Sequence, residues 1–203
     1  MVKIKVCGLK REEDIKYVNE LKPDYIGFVF TKSSREITSE WGKNLVEKLD
    51  KNIKTVGIFV DKEISEVEKI ASTLKLDVLQ FHGKEDNEYM SCFKDYEVWK
   101  ALGVTSKEDL KEINKYKADG ILLDSRVLGR IGGTGESFNW DIISNFKVNK
   151  KFILAGGLNS NNVKEGISKV NPNIVDVSSG VEIEGFKDFD KIKEFIKKVR
   201  ETV

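Results

Sequence analysis

A cysteine and an aspartate give this sequence the side chains of an acid–base pair. Cys7 ends the run KIKVC and Asp124 ends the run GILLD, so each follows a stretch of mainly apolar residues. A thiol and a carboxyl group can divide the roles of base and acid when their surroundings move their pKa values apart. Each also has a structural alternative: Cys7 as a small buried residue, and Asp124 as a helix cap or the partner of a lysine.

Glycine and serine cluster in two later segments, AGGLNS and DVSSGVE. Glycines let backbone N–H groups converge on an anion, and serine hydroxyls add further donors. We therefore predict that the two segments form one phosphate site, against the alternative that their glycines only form turns. The residues concerned are Gly156, Gly157, Ser178, Ser179 and Gly180.

Three further features are candidates for ligand contact. Arg35 follows two serines, and its planar fork suits a carboxylate or phosphate, although a surface charge is the alternative. His82 is the only histidine; it either lines the site or is a hydrogen-bonded loop residue. The glycine-rich segment RIGGTGESF, which contains Gly133, resembles a mobile lid. It lacks the lysine and hydroxyl residue of a P-loop, which disfavours a nucleoside triphosphate substrate.

The spacing of apolar residues indicates the elements that must position these side chains. Eight short apolar or β-branched runs alternate with charged segments of helical period, such as REEDIKYVNEL with Ile15, Val18 and Leu21 on one face. The runs cover 2–6, 24–30, 54–60, 76–81, 97–102, 119–124, 151–156 and 173–178. Alternating strands and helices predict a parallel sheet, and eight units fit an α/β fold of the (β/α)8 TIM-barrel type.

We predict that residues 1–203 form a single barrel domain with eight parallel strands and outer helices. An open doubly wound sheet is the alternative, but no G-x-G-x-x-G motif follows the first strand. In a barrel, the active site lies at the carboxyl ends of the strands, and phosphate commonly binds after strands seven and eight. Every candidate residue above falls on that rim.

Composition narrows the classes of partner. The net charge of +1 gives no attraction to nucleic acid or membrane, and no apolar run approaches the length of a membrane span. Two distant cysteines and one histidine make neither a disulfide framework nor a zinc site. We therefore expect a cytoplasmic protein without a disulfide framework or a zinc site. The second cysteine, Cys92, is predicted to lie mid-helix in the core.

At this point the motifs resemble those of a known family, the phosphoribosylanthranilate isomerases of tryptophan biosynthesis. The segments that carry the resemblance are KVCGLK, GFVFTKSSR, VGIFVD, LQFHG, LLDS with GGTGESFNW, AGGLNSNNV and DVSSGVE. They occur in the family's order from the first strand to the eighth. The sequence departs from the family at Ser34, where proline is usual before the arginine.

The resemblance implies a cofactor-free Amadori rearrangement of N-(5-phosphoribosyl)anthranilate to 1-(2-carboxyphenylamino)-1-deoxyribulose 5-phosphate. Asp124 matches the family's general acid and Cys7 its general base. Arg35 matches the arginine near the anthranilate carboxylate, His82 the histidine that lines the site, and Asp176 an aspartate at the base of the last loop. The AGGL and SSG backbones match the phosphate site. The implied partner is this phosphosugar, bound by a monomer or a homodimer.

Other functions remain open from the residues alone. A different phosphosugar barrel would share the phosphate loops, but we expect it to lack the pairing of KVCGL with LLDS. A non-catalytic phosphosugar-binding barrel would bind without turnover, and the intact Cys7 and Asp124 argue against it. A thiol-redox protein is disfavoured because no resolving cysteine lies near Cys7 in the sequence.

Overall fold

The fold is a closed barrel of eight parallel strands that follow one another in chain order. The computed structural model describes residues 1–104, 108–124, 143 and 148–202. The barrel strands are β1 Lys3–Cys7, β2 Tyr25–Val29, β3 Lys54–Phe59, β4 Val78–Phe81, β5 Glu97–Gly103, β6 Gly120–Asp124, β7 Lys151–Ala155 and β8 Ile174–Val177. All eight predicted strands are present, and the predicted TIM-barrel fold is confirmed.

Helices connect the strands on the outside of the barrel. They are α1 Glu12–Leu21, α2 Ser39–Glu47, α3 Ile64–Leu74, α4 Asn87–Met90, α5 Asp109–Ile113, α6 Val163–Val170 and α7 Phe189–Arg200. A 3₁₀ turn at Ser179–Val181 and a short hairpin, β9 Glu182–Ile183 with β10 Phe186–Lys187, lie between β8 and α7. Ser106, predicted as a helix cap, lies outside the described residues.

Local chemistry explains where the helices begin. The side chains of Thr38, Asp86 and Asp188 each accept a hydrogen bond from a backbone N–H in the first turn of α2, α4 and α7. Such caps satisfy donors that would otherwise have no intrahelical partner. The apolar stripe of α7 then packs its buried face against the barrel.

The core has two layers because strand side chains alternate between the helix-facing and barrel-facing sides. The inner layer fills the barrel and consists of Tyr25, Val56, Ile58, Val78, Trp99, Ala101, Leu122, Ile153, Ala155 and Ile174. Burial of a large apolar side chain contributes roughly 1.5–3 kcal/mol. The barrel is therefore a packed scaffold, which holds the strand ends in fixed positions.

The prediction for Cys92 is wrong. The structure places Cys92 after the short helix α4, with its side chain exposed. Met90 and Phe93 are the buried residues of this segment. They lie three positions apart and face inward together, so Ser91 and Cys92 between them turn outward.

No helix among the residues described above is long and apolar enough to cross a membrane.

Candidate active site

A cleft of about 320 Å³ opens at the carboxyl ends of the barrel strands. Ten of the predicted site residues line it: Cys7, Arg35, His82, Asp124, Gly156, Gly157, Asp176, Ser178, Ser179 and Gly180. Gly133 lies outside the described residues. A larger hollow of about 940 Å³ lies at the opposite end of the barrel, and none of the ten residues is on its described lining. The structure therefore brings the candidates to one place.

Cys7 is held at the end of β1, half-buried on the wall of the cleft. Its backbone carbonyl accepts a hydrogen bond of 3.0 Å from the hydroxyl of Ser178, which ties the end of β1 to the end of β8. Burial raises the pKa of the Cys7 thiol, the positive charge of Lys5 acts in the opposite direction, and Asp176 raises it further. The thiol is therefore the resting form, and its conversion to a thiolate depends on its neighbours.

Lys5 is a buried charge that the sequence analysis did not single out. It is 0% exposed, and its Nζ donates to Oδ2 of Asp176 at 2.9 Å and to Oε1 of Gln80 at 3.0 Å. All three side chains lie inside the barrel beside Cys7. The signal was present in KIKVC, where Lys5 alternates with buried Ile4 and must face the barrel interior.

Asp124 and His82 form the opposite side of the cleft, at the ends of β6 and β4. The His82 Nε2 atom lies 4.0 Å from Asp124 Oδ2, which is too long for a hydrogen bond, and the Asp124 side chain is 20% exposed. Burial lowers the pKa of His82, and the nearby charge of Asp124 offsets only part of that effect. His82 is therefore neutral at pH 7 and presents an uncharged imidazole to the cleft.

A buried ion pair supports the loop that carries His82. The Nζ of Lys100 donates to Glu85 at 2.8 Å and to the Gly83 carbonyl at 2.6 Å. Glu85 also accepts hydrogen bonds from the backbone N–H groups of Asp61 and Gly83, each at 2.8 Å. Both ionic side chains are 1% exposed. The pair fixes the β4 loop and so the position of His82, and the sequence analysis missed it.

Arg35 reaches the cleft already engaged with a carboxylate. Its Nε and Nη2 atoms donate to the two oxygens of Glu182 at 2.8 and 2.6 Å. The Nζ of Lys187 also donates to Glu182, at 2.6 Å, and to the Ser178 carbonyl at 3.1 Å. The fork of Arg35 therefore binds a carboxylate, as its chemistry suggests, but this carboxylate is Glu182, which the sequence alone did not indicate. Its Nη1 atom makes no hydrogen bond within the described chain.

Glu182 should make a stabilising contribution that disappears in acid. Burial alone would raise the pKa of Glu182, but hydrogen bonds from Arg35 and Lys187 outweigh burial and lower the pKa to about 2. Since the folded pKa lies below the unfolded value of about 4.3, this stability is fully present above pH 5 and is lost as pH falls towards 2. We expect Glu182→Gln to lower the unfolding free energy at pH 7 by on the order of 3 kcal/mol.

Urea unfolding from pH 7 to pH 2.5 measures this effect, and the difference between the two proteins should shrink as the pH falls. Glu184→Gln is the matched control, because Glu184 is exposed in the same hairpin. A constant difference across the pH range would contradict the assigned ion pairs.

The two glycine-serine segments meet at the rim. Gly156 and Gly157 have φ values of 86° and 67°, which turn the chain after β7 through a region that favours glycine. Gly180, in the loop after β8, packs directly against this turn. A Cβ atom added to Gly180 would lie 1.9 Å from the carbonyl oxygen of Leu158. The loops after β7 and β8 therefore form one continuous backbone surface beside the cleft.

Taken together, these features join a thiol, a carboxyl group, a neutral imidazole and a backbone surface suited to an anion. The described residues contain no group of three or more histidine, cysteine, aspartate or glutamate side chains that could hold a metal ion. The chemistry available to the described part of the cleft is proton transfer beside an anionic group.

Comparison with known proteins gives consistent matches over the whole chain. The family model described as N-(5'phosphoribosyl)anthranilate (PRA) isomerase matches residues 4–198. A relative from Thermoanaerobacter sp. (strain X514), named N-(5'-phosphoribosyl)anthranilate isomerase, is 55% identical over 200 residues, which cover 98% of each chain.

Solved structures agree with the sequence matches. A phosphoribosyl anthranilate isomerase from Thermotoga maritima has a TM-score of 0.92 and 37% identity, covering 99% of this chain and 100% of that one. A phosphoribosyl anthranilate isomerase in complex with reduced 1-(o-carboxyphenylamino)-1-deoxyribulose 5-phosphate has a TM-score of 0.87 and 36% identity, with the same coverage.

Proposed function

The chain belongs to the N-(5'-phosphoribosyl)anthranilate isomerase family and is an isomerase of tryptophan biosynthesis, and we propose that Cys7 and Asp124 carry out its proton transfers. The observation that supports this assignment is their shared cleft, which also adjoins the glycine-serine loops. The reaction converts an aminoaldose to an aminoketose, so it requires one proton donor and one proton acceptor at different substrate atoms.

The first step opens the sugar ring. Asp124, in its protonated form, donates to the ring oxygen of N-(5-phosphoribosyl)anthranilate as the bond from C1 to that oxygen breaks. The nitrogen lone pair forms the C1=N bond of an iminium ion. Neutral His82, 4.0 Å from Asp124, adds no second positive charge beside the iminium.

The second step removes the C2 proton. The iminium withdraws electrons and makes C2 a stronger carbon acid, so a thiolate at Cys7 can accept that proton. The electron pair moves into a C1=C2 bond and neutralises the nitrogen, which gives an enolamine. Protonation at C1 and loss of the enol proton at the C2 oxygen then give the ketone.

The remaining residues hold the substrate for these steps. We assign the phosphate to the backbone of Gly156, Gly157, Ser179 and Gly180, because their loops adjoin and favour an anion. The Ser178 hydroxyl already donates to the Cys7 carbonyl, which gives it a supporting role. Binding energy from the distant phosphate positions the reacting carbon.

Two further groups contact the rest of the substrate in this proposal. The Nη1 atom of Arg35 donates to the anthranilate carboxylate, with the guanidinium oriented by Glu182. Oδ1 of Asp176 is buried and accepts no hydrogen bond from the described residues, so it is available for a sugar hydroxyl. Gly133, on its glycine-rich segment, stays a predicted substrate contact.

The assignment is tested by generating N-(5-phosphoribosyl)anthranilate in place from anthranilate and following loss of its fluorescence. Rapid loss with the wild-type protein and slow loss with Cys7 or Asp124 variants would support the assigned roles. Wild-type turnover in both the Cys7 and the Asp124 variants would show that other residues of the cleft carry out the proton transfers. Titration calorimetry with the reduced product analogue would show whether such variants still bind.

Gly180→Ala is expected to raise KM at least tenfold, because its Cβ would overlap the Leu158 carbonyl oxygen and separate the two phosphate loops. The same change should weaken competitive inhibition by inorganic phosphate. Gly185→Ala is the control: at its φ of 79° an alanine strains the backbone of the nearby hairpin, but no atom lies within 4 Å of the Cβ, so the two phosphate loops stay in contact. Equal KM values for the two variants would remove Gly180 from the phosphate site.

Three broader expectations complete the proposal. We propose that residues 1–203 act as one barrel domain, that the enzyme works in the cytoplasm, and that it needs no cofactor. A monomer or a homodimer is expected, and sedimentation equilibrium distinguishes them.

A further inference from the structure

We propose that Lys5 is a positioning residue for Cys7, whose ammonium group stabilises the thiolate form, and that Asp176 limits how strongly it does so. The inference rests on the proposed role of Cys7 as the base. It goes further by assigning the control of that base to a buried ion pair beneath the cleft.

The first support is the geometry of Lys5. Lys5 and Cys7 are two positions apart on β1, so both side chains face the barrel interior. The Lys5 ammonium has three N–H donors. Asp176 and Gln80 accept two of them, at 2.9 and 3.0 Å, and Lys5 and Cys7 lie close enough for each to shift the pKa of the other. Burial alone would lower the pKa of Lys5, but the nearby charges of Asp176 and Cys7 outweigh burial and raise it, so the ammonium retains its proton.

The second support is that closure of the barrel builds this cluster. Strands β1 and β8 pair with Lys5 directly opposite Asp176, although the two residues are 171 positions apart in the chain. Lys5 is 0% and Asp176 is 8% exposed. Burying an ion pair beneath a cleft carries a desolvation cost that an apolar pair would avoid. The position of the Lys5–Asp176 pair beside Cys7 explains why a pair with this desolvation cost is present: it controls the thiol.

Other charged groups also face Cys7 and must be considered. Lys187 approaches from β10, where it is bound to Glu182 and Ser178, and Arg35 approaches from the loop after β2. Both of these cations are shared with the Glu182 carboxylate. Lys5 lies on the same strand and the same face as Cys7, and its effect on the pKa of Cys7 is larger than that of Lys187.

The proposal predicts that removing Lys5 and removing Asp176 change the ionisation of the Cys7 thiol in opposite directions. Without the Lys5 ammonium, Cys7 faces a buried carboxylate, and ionisation of the thiol becomes harder. Without the Asp176 charge, the thiolate is the nearest anion available to Lys5, and ionisation becomes easier. A purely structural role for the pair would make both changes harmful in the same sense.

The experiment measures alkylation of Cys7 by iodoacetamide between pH 5 and pH 10, in a Cys92→Ser background because Cys92 is exposed. The thiolate sulfur bonds to the methylene carbon and iodide leaves, so the rate follows the thiolate fraction. Lys5→Met should move the midpoint of the pH–rate profile upward by at least about one pH unit, with a similar plateau at high pH. Asp176→Asn should move the midpoint downward.

Two more variants keep the test decisive. The double variant Lys5→Met with Asp176→Asn removes both buried charges, so it folds without an uncompensated ion and should give a midpoint between those of the single variants. Lys3→Met is the matched control on the same strand, because Lys3 lies at the far end of the barrel, close to the ring of Tyr25, and should leave the profile unchanged.

The result that overturns the inference is a midpoint that does not rise in Lys5→Met, or that rises equally in Asp176→Asn. Alkylation does not require turnover, so this outcome is distinct from failure of the proposed function. The alkylation midpoints could shift as predicted while the Cys7→Ser variant remains active in the turnover assay. That combination would uphold the control of the thiol by Lys5 and reject Cys7 as the base.

Discussion

Replacing Cys7 by serine is expected to lower kcat by roughly 100- to 10,000-fold, with KM within about threefold of the wild-type value. Serine preserves the size and position of the side chain, but its hydroxyl is a far weaker acid than a thiol. An oxyanion would form at that position only at extreme pH. The variant therefore keeps the binding contacts and loses the group that accepts the C2 proton.

Deuterium at substrate C2 identifies the step that has slowed. In the Cys7→Ser protein, proton abstraction should limit the rate, so deuterium at C2 should give a large primary isotope effect on kcat. Cys92→Ser is the control, because the Cys92 side chain is exposed and donates a weak hydrogen bond of 3.7 Å to the Glu88 carbonyl. Near-normal kcat in the Cys7→Ser protein would show that another group removes the proton.

The barrel strands could be predicted from the sequence because each buried strand is a short apolar run bounded by polar residues. DGILLD and NIVDVS show this pattern, and both fall within one or two residues of β6 and β8. The barrel rule then placed the candidate residues on one rim, since parallel strands end on the same side. That step needed the order of elements and no knowledge of side-chain contacts.

The charged contacts of the site could not be predicted in this way. Arg35 and Glu182 are 147 positions apart, and Lys5 and Asp176 are 171 apart. Both contacts arise only when β8 closes on β1, because the register between these strands decides which side chains meet. The sequence therefore indicated that the fork of Arg35 suits a carboxylate or a phosphate, but it could not reveal that Glu182 of the protein supplies one carboxylate.

Cys92 shows that a local sequence pattern can also predict burial where the fold gives exposure. The segment EYMSCFKDY has apolar residues close together, which favoured a buried helix through all of them. Helix α4 ends at Met90, and the turn that follows it exposes Cys92. The length of a short helix depends on its connections within the fold, and a local pattern does not contain that information.

Asp124→Asn is expected to reduce kcat by roughly 100- to 10,000-fold, because the amide has the shape of the acid but is a far weaker proton donor. The fold should be retained, since Asp124 ends β6 at the cleft with 20% of its side chain exposed. Thermal unfolding within a few degrees of the wild-type value would verify this. Binding of the reduced product analogue should change much less than kcat, because the phosphate and carboxylate contacts remain.

The C2 isotope effect separates Asp124 from Cys7. If Asp124 opens the ring, its loss makes ring opening the slow step, and deuterium at C2 should then have an effect near one. The Cys7→Ser protein should show the large effect in the same assay. A large effect in both variants would mean that Asp124 acts during proton abstraction, whereas an effect near one in both would place Cys7 in ring opening. One deuterated substrate therefore assigns both roles: a large isotope effect in the Cys7→Ser protein makes the thiol the base, and an effect near one in the Asp124→Asn protein makes the carboxyl group the acid. Each variant differs from the wild type by the exchange of a single heavy atom.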